Sequence, residues 1–212
     1  MQTTLEVRWF LEEIPPAIVQ HWFKFECPGQ LLTPKAETRE DLYACGDLHA
    51  YIDKFKEFAP NLVGEAVNLK LREGKLELKL KQKQFGIQTF TDKDDRSIWS
   101  GRIEQWCKLS QQELEAAFNF EDLNWISVYK ERSLKSFRGV RGELTRLETE
   151  GNAWWSIAFE MTTDNNFRAN FFHEVVEQAA KTYDGPQLLA EDSCGYVRWL
   201  YKFILNQSDR SN

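Results

Sequence analysis

Histidine and cysteine are scarce in this chain, and what there is does not cluster. The 212 residues hold three histidines (His21, His49, His173) and four cysteines (Cys27, Cys45, Cys107, Cys194). No two cysteines form a Cys-x-x-Cys pair, so no zinc or iron–sulfur ligand set can be built from this spacing. The cysteines read as reduced thiols of a cytosolic protein. A glycine-rich phosphate loop, a Gly-x-Ser-x-Gly elbow and a His-Glu-x-x-His pair are all missing. Apolar runs are short, Leu31–Leu32 and Trp154–Trp155 among them, far below the roughly 20 residues of a membrane helix. The opening Met1–Glu6 has no basic stretch leading into an apolar one, so no signal peptide is expected. Chemistry in this protein therefore has to come from carboxylates and basic side chains.

Charge and hydrophobicity set the remaining bounds. Lys and Arg number 27 and Asp and Glu 33, and 27 − 33 leaves a net charge of −6. That balance argues against a nucleic-acid partner. Hydrophobic residues make up 42%, enough for a core that buries about 70% of the unfolded surface without staples. No linker, repeat or low-complexity stretch interrupts the chain. One domain over residues 1–212, in the cytoplasm and with no membrane partner, is expected.

Period-two alternation dominates the pattern and reads as strands. Leu5–Trp9 alternates, as do Val67–Arg72 and Lys75–Lys81. Glu73-Gly74 between the last two marks a tight β-hairpin. Further strands are expected at Ser100–Leu109, Trp125–Ser133, Val140–Thr149 and Trp154–Met161, with a short one at Asp41–Cys45. Glu150-Gly151-Asn152 reads as another hairpin turn. Helices are fewer. Pro15-Pro16 precedes one at Ala17–Phe23, and Ser110–Phe118 opens with a capping box. Asn166–Tyr183 has apolar residues at helical spacing, and Ser193–Leu205 is a second C-terminal helix. The fold class is α+β: an antiparallel β-barrel, tunnel-like, with peripheral helices.

The strands carry charge in rows, because side chains two apart share a face. Glu6 and Arg8 share one, Lys70 and Arg72 another, and Glu77, Lys79 and Lys81 a third. Arg102 with Glu104, Lys130 with Arg132, Glu143 with Thr145, and Glu160 continue the series. Two arrangements account for this. In one, the apolar faces fill the barrel and the charges meet water, as antiparallel sheets commonly do. In the other, helices cover the apolar faces and the charges turn inward. Lys81 and Lys83, at a strand end, read as solvated in either case. An inward set would need a compensating ligand, because buried unpaired charge is costly. Arginine favours phosphate oxygens as that ligand, and carboxylates favour a hard cation. A linear polyphosphate with a divalent metal would meet both needs.

In order along the chain, these motifs resemble the CYTH domain family, the triphosphate tunnel metalloenzymes. Thr4-Leu5-Glu6-Val7-Arg8 is similar to the family's opening strand, with Thr4 where an acid is expected and Arg8 where Lys is usual. Asp41-Leu42-Tyr43, Lys70-Leu71-Arg72, Leu76–Lys79, Arg102-Ile103-Glu104 and Lys130-Glu131-Arg132 follow in order. Glu143 and Glu160 close the series, and Ser193-Cys194-Gly195-Tyr196 resembles the start of the final helix. The resemblance implies metal-dependent hydrolysis of a phosphoanhydride in a triphosphate or other phosphorylated substrate. By it, Arg8, Lys70, Arg72, Lys79, Arg102, Lys130 and Arg132 would hold a small phosphorylated ligand. Glu6, Glu143 and Glu160 would hold Mg2+ or Mn2+, with Glu160 and Glu6 catalytic. A non-catalytic polyphosphate or phospho-metabolite binder is the alternative, favoured by Thr4 in place of an acid. An ordinary barrel with an apolar interior and a hydrophobic ligand is a third. Trp106 shares the Arg102 and Glu104 face and reads as core or as lining.

Overall fold

The structure, a computed structural model, describes residues 2–45, 67–109, 123–163 and 169–202. The expected helix at Ser110–Phe118 and His49 lie outside these residues. The strands are β1 (Gln2–Glu12), β2 (Gln30–Leu31), β3 (Glu37–Cys45), β4 (Val67–Arg72), β5 (Lys75–Thr91), β6 (Ser97–Leu109), β7 (Asn124–Phe137), β8 (Val140–Thr149) and β9 (Asn152–Thr163). Two helices are α1 (Ala17–Phe25) and α2 (Ala169–Ala180), and α3 is described over 196–202.

Eight strands close on themselves. The order runs β7-β3-β4-β5-β6-β1-β9-β8, and β8 pairs back onto β7. Every pairing is antiparallel. Closure removes the exposed edges that an open sheet would have to protect. The two-residue β2 lies outside the ring, beside β7 at Lys135 and Ser136. The expected α+β barrel with peripheral helices and two C-terminal ones is the observed fold.

The tight turns explain the short connections. Glu73 and Gly74 have φ of 49° and 74°, and Glu150 and Gly151 have 48° and 73°. Two successive positive φ values match the twist of a two-residue hairpin, and glycine at the second position removes the Cβ penalty. Arg138 and Gly139, at 51° and 81°, make a third such turn between β7 and β8. β5 runs to Thr91, ten residues beyond the expected end at Lys81. Its register against β6 shifts at Lys81/Lys83, Gln84/Ile87 and Phe90/Thr91. Each irregularity breaks the period-two pattern by which a strand is recognised.

The apolar faces point away from the barrel axis. Leu5, Val7 and Trp9 of β1 are fully buried in one cluster with Trp22 of α1, Phe172 and Val176 of α2, and Trp99 and Phe159. Trp9 Nε1 donates to Ser100 O at 2.7 Å, which satisfies its polar end. Leu69, Leu78, Leu80 and Leu109 form a second buried cluster on β4, β5 and β6. The inner residues of β1 are the other set, Gln2, Thr4, Glu6, Arg8 and Phe10. Among the described residues, no helix is long and apolar enough to cross a membrane.

Residues 188–196 wedge between β1 and β6 where these strands part. Ser100 N donates to Leu188 O, Phe10 N to Asp192 O, and Cys194 N to Arg8 O, at 2.7, 3.0 and 3.1 Å. This path delivers α3 to one end of the barrel. There Tyr196, Trp199 and Leu200 pack with Phe10, Tyr43, Val128 and Leu147. Phe10 and Trp199 stack with ring centroids 4.7 Å apart. The barrel interior beyond Arg8 is therefore apolar and filled.

Candidate functional site: a charged tunnel

The rest of the interior is a cavity of about 310 Å³ lined by charge. Nine cationic side chains face it: Arg8, Arg39, Lys70, Arg72, Lys79, Lys108, Lys130, Arg132 and Arg141. Four carboxylates also line it (Glu6, Glu77, Glu143 and Glu160), and buried Asp41 stands behind them against Lys130. Among the described residues, counted by formal charge, nine minus five leaves the lining at +4 in a chain whose sum is −6. Of the two arrangements open from the alternation, the charges-inward one is present.

The charges form three linked groups. Around β1, Arg8 Nε lies 2.7 Å from Glu6 Oε1, and Arg8 Nη1 lies 2.8 Å from Glu143 Oε1. Ser156 Oγ accepts from the same Nη1 at 3.1 Å. Burial would lower the Arg8 pKa, but Glu143, Tyr196 and Glu6 more than offset it and hold the guanidinium charged. Burial pushes Glu143 up, and Arg8 and Arg132 pull it well below the usual carboxylate range. Arg132 Nε is 3.6 Å from Glu143 Oε2.

The second group centres on Asp41, which has no exposed surface. Lys130 Nζ is 2.9 Å away, Arg72 Nε 3.0 Å, Arg39 Nε 3.4 Å and Lys70 Nζ 3.8 Å. Burial opposes ionisation, yet Lys130 and Lys70 hold Asp41 far below its ordinary value. Lys130 also donates to Tyr43 Oη at 2.5 Å and lies 3.8 Å from the Tyr196 ring centroid. Its complete burial drives its pKa well down despite Asp41. Lys70 is lowered to about 8, first by burial and then by Arg72, against the pull of Asp41 and Glu77. Glu77 accepts from Lys70 at 3.0 Å, Lys108 at 3.2 Å and Arg72 at 3.3 Å.

The third group joins β5, β8 and β9. Lys79 Nζ lies 2.9 Å from Glu160 Oε1 and 3.6 Å from Glu6 Oε2. Arg141 pairs with Glu160 Oε2. Burial raises the Glu160 pKa, but Lys79 and Arg141 bring it down to about 2.

Nine of the ten residues singled out in the sequence meet in this cavity: Glu6, Arg8, Lys70, Arg72, Lys79, Lys130, Arg132, Glu143 and Glu160. Arg102 does not line it. Its guanidinium is engaged by Ala190 O and, at 3.0 Å, by Ser193 O, so it anchors the wedge. Lys81 is not solvated as expected: it sits 3.2 Å from Glu104, inside the strand that continues past it. Trp106 lines the cavity. Arg39, Lys108 and Arg141 were not singled out. Each lies two residues from a residue on the same face (Asp41, Trp106 and Glu143), so the i, i+2 rule could have found them.

The acids expected to hold Mg2+ or Mn2+ do not fit a divalent ion in this arrangement. Every oxygen of Glu6, Glu143 and Glu160 already faces an arginine or lysine nitrogen. Among the described residues, no three His, Cys, Asp or Glu side chains gather as a metal site.

No family model matches the chain, and no curated protein matches its sequence. Solved structures of similar shape exist. A conserved hypothetical protein from Pyrococcus furiosus is 15% identical, with 92% of this chain and 98% of that chain covered and a TM-score of 0.45. A putative adenylyl cyclase from Hippeastrum, described as having a dominant triphosphatase activity, is 12% identical over 87% and 92%, at 0.38. The Pct1 RNA triphosphatase of S. pombe is 7% identical over 86% of each chain, at 0.41. Eight antiparallel strands closed around an ionic interior, both properties of this chain itself, are the tunnel-like barrel expected from the sequence.

Proposed function

We propose that the tunnel binds the phosphate chain of a triphosphate-bearing substrate and hydrolyses a phosphoanhydride in it. The observation that carries this reading is the excess of buried cations. Nine basic groups crowd one cavity against five acids, and only an anion with several charges would balance them. The cavity is small, at about 310 Å³. Small-molecule sites span roughly 300–1,000 Å³, so a phosphate chain fills this one with little room for more.

Hydrolysis here would require positioning and charge stabilisation more than covalent chemistry. Arg8, Lys70, Arg72, Lys79, Lys130 and Arg132 hold the non-bridging oxygens and stabilise the charge that moves to the leaving group. Water attacks the terminal phosphorus, the bridging P–O bond breaks toward the remaining diphosphate, and the proton of the water passes to the released phosphate. Glu160, with its pKa near 2, stays ionised and is too weak a base to keep that proton. Its role, and that of Glu6, is to orient the water through hydrogen bonds.

Phosphate release from inorganic triphosphate tests the reading, with Mg2+, with Mn2+ and with EDTA. Turnover that Glu160→Gln abolishes is expected, together with a rise in Tm on adding triphosphate. Arg72→Ala and Lys130→Met should diminish that rise. Binding without turnover would leave a polyphosphate binder. The absence of both binding and turnover would overturn the proposal.

A further inference from the structure

We propose that Lys79 stands in the position between Glu6 and Glu160 that a divalent ion would otherwise take, so that the tunnel binds its polyphosphate with the chain's own cations and without a metal. This rests on the triphosphate reading and specifies how the same site neutralises its ligand.

Glu6 on β1 and Glu160 on β9 are direct partners in register, so their side chains leave the sheet side by side. Lys79 reaches them from β5, two strands away from β1 in the barrel order. Its ammonium is 2.9 Å from one carboxylate and 3.6 Å from the other. Mg2+ demands near-octahedral oxygen ligation at roughly 2.0–2.1 Å, and it could not share these oxygens with an ammonium at that separation. Burial would lower the Lys79 pKa, but Glu6 and Glu160 raise it, so the side chain remains a cation.

Charge at the other acid oxygens points the same way. Arg8 takes Glu6 Oε1 and Glu143 Oε1, Arg132 faces Glu143 Oε2, and Arg141 takes Glu160 Oε2. Three carboxylates thus face four cations, a local sum of +1. The remaining Arg39, Lys70, Arg72, Lys108 and Lys130 stand against Glu77 and Asp41, adding +3. A field of this sign repels a free divalent cation and draws in a polyanion. Nor does β1 supply a further acid to the cavity, since its other carboxylate, Glu12, is exposed and does not line it. The inward position before Glu6 is Thr4, whose hydroxyl is buried and has no hydrogen-bond partner among the described residues.

Isothermal titration of inorganic triphosphate into the full chain, once in EDTA and once in Mg2+, separates the possibilities. Binding in EDTA that Mg2+ does not strengthen is expected. Lys79→Gln should weaken binding in EDTA by about tenfold or more, and Mg2+ should then restore it, because the two carboxylates are freed for a cation. Lys79→Arg should keep the metal-free mode. Binding that appears only with Mg2+ or Mn2+ in the unaltered chain would overturn the inference while leaving the triphosphate reading intact. So would a Lys79→Gln variant that binds as the parent does in both buffers. Absence of binding in both buffers would overturn the triphosphate reading itself. The comparison on the unaltered chain decides the matter even where a variant fails to fold.

Discussion

Asp41 and Lys130 form an ion pair 2.9 Å long in which neither side chain reaches solvent. The aspartate comes from β3 and the lysine from β7, so the pair ties two strands together inside the barrel. A buried pair of this kind contributes little relative to a well-packed apolar substitute, but breaking it leaves a charge without its partner.

Asp41→Asn should therefore destabilise the protein by about 3–5 kcal/mol. It leaves Lys130, Lys70, Arg72 and Arg39 around a neutral amide. The double variant Asp41→Asn/Lys130→Met removes one of the stranded cations and should recover part of the loss. Urea titration of the parent, the single and the double variant measures both steps. Equal stability of parent and Asp41→Asn would show that the pair is not formed.

Acid should destabilise the protein through depressed carboxylates. Glu77 and Glu160 both sit at about 2, held there by Lys70 and by Lys79 respectively. An acid with a lowered folded-state pKa stabilises fully above its unfolded value, about 4.3 for glutamate. That contribution is lost as pH falls from there toward 2. Thermal melts between pH 6 and 2 should show Tm dropping through this window, and Glu77→Gln should make the drop shallower.

Lys70 should make triphosphate binding sensitive to mild alkali. Its pKa of about 8 lies below the ordinary lysine value because of burial and Arg72. Without ligand, the folded state gives up that proton before the unfolded one does. Stability from this group therefore rises between about pH 8 and 10.4. Anion binding runs the opposite way, since the ligand requires the ammonium. Affinity for inorganic triphosphate should fall as pH rises past about 8, and Lys70→Arg should flatten the profile. A parent profile flat from pH 7 to 9.5 would count against a role for Lys70 in holding the ligand.

Arg102 should report on the wedge and not on the ligand. Its guanidinium bonds to Ala190 O and Ser193 O, and its backbone N–H donates to Ser193 Oγ at 2.8 Å. Hydrogen bonds from a charged group contribute about 1.5–3 kcal/mol each, so Arg102→Ala should loosen residues 188–196 measurably. Hydrogen exchange at the amides of Phe10 and Cys194, which donate to Asp192 O and Arg8 O across the seam, should quicken first. Unchanged exchange there would show that the arginine does not hold the segment.

Much of the barrel is legible along the chain. The alternation of Leu5–Trp9, Val67–Arg72 and Val140–Thr149 marks strands because backbone pleating puts neighbours on opposite faces. Glu73-Gly74 and Glu150-Gly151 mark their turns because few residue pairs tolerate two positive φ values. The far half of β5 escapes notice, since three register shifts destroy the alternation there. Most of the tunnel lining is legible too, once Arg8, Lys70 and Lys130 are placed in rows by parity.

What alternation cannot say is which row faces inward, because the pattern is unchanged when a sheet is turned over. Leu5-Glu6-Val7-Arg8-Trp9 by itself suits an apolar barrel wet on the outside as well as an ionic tunnel. The choice falls to partners far away in sequence: Trp22 on α1 and Phe172 and Val176 on α2 cover Leu5, Val7 and Trp9, and burying those apolar groups forces Glu6 and Arg8 to the axis. The place of Arg102 is decided in the same way, by carbonyls of a segment some ninety residues downstream that has no periodicity to announce it. The composition of each strand is local, but the side that is dry depends on what the rest of the chain lays against it.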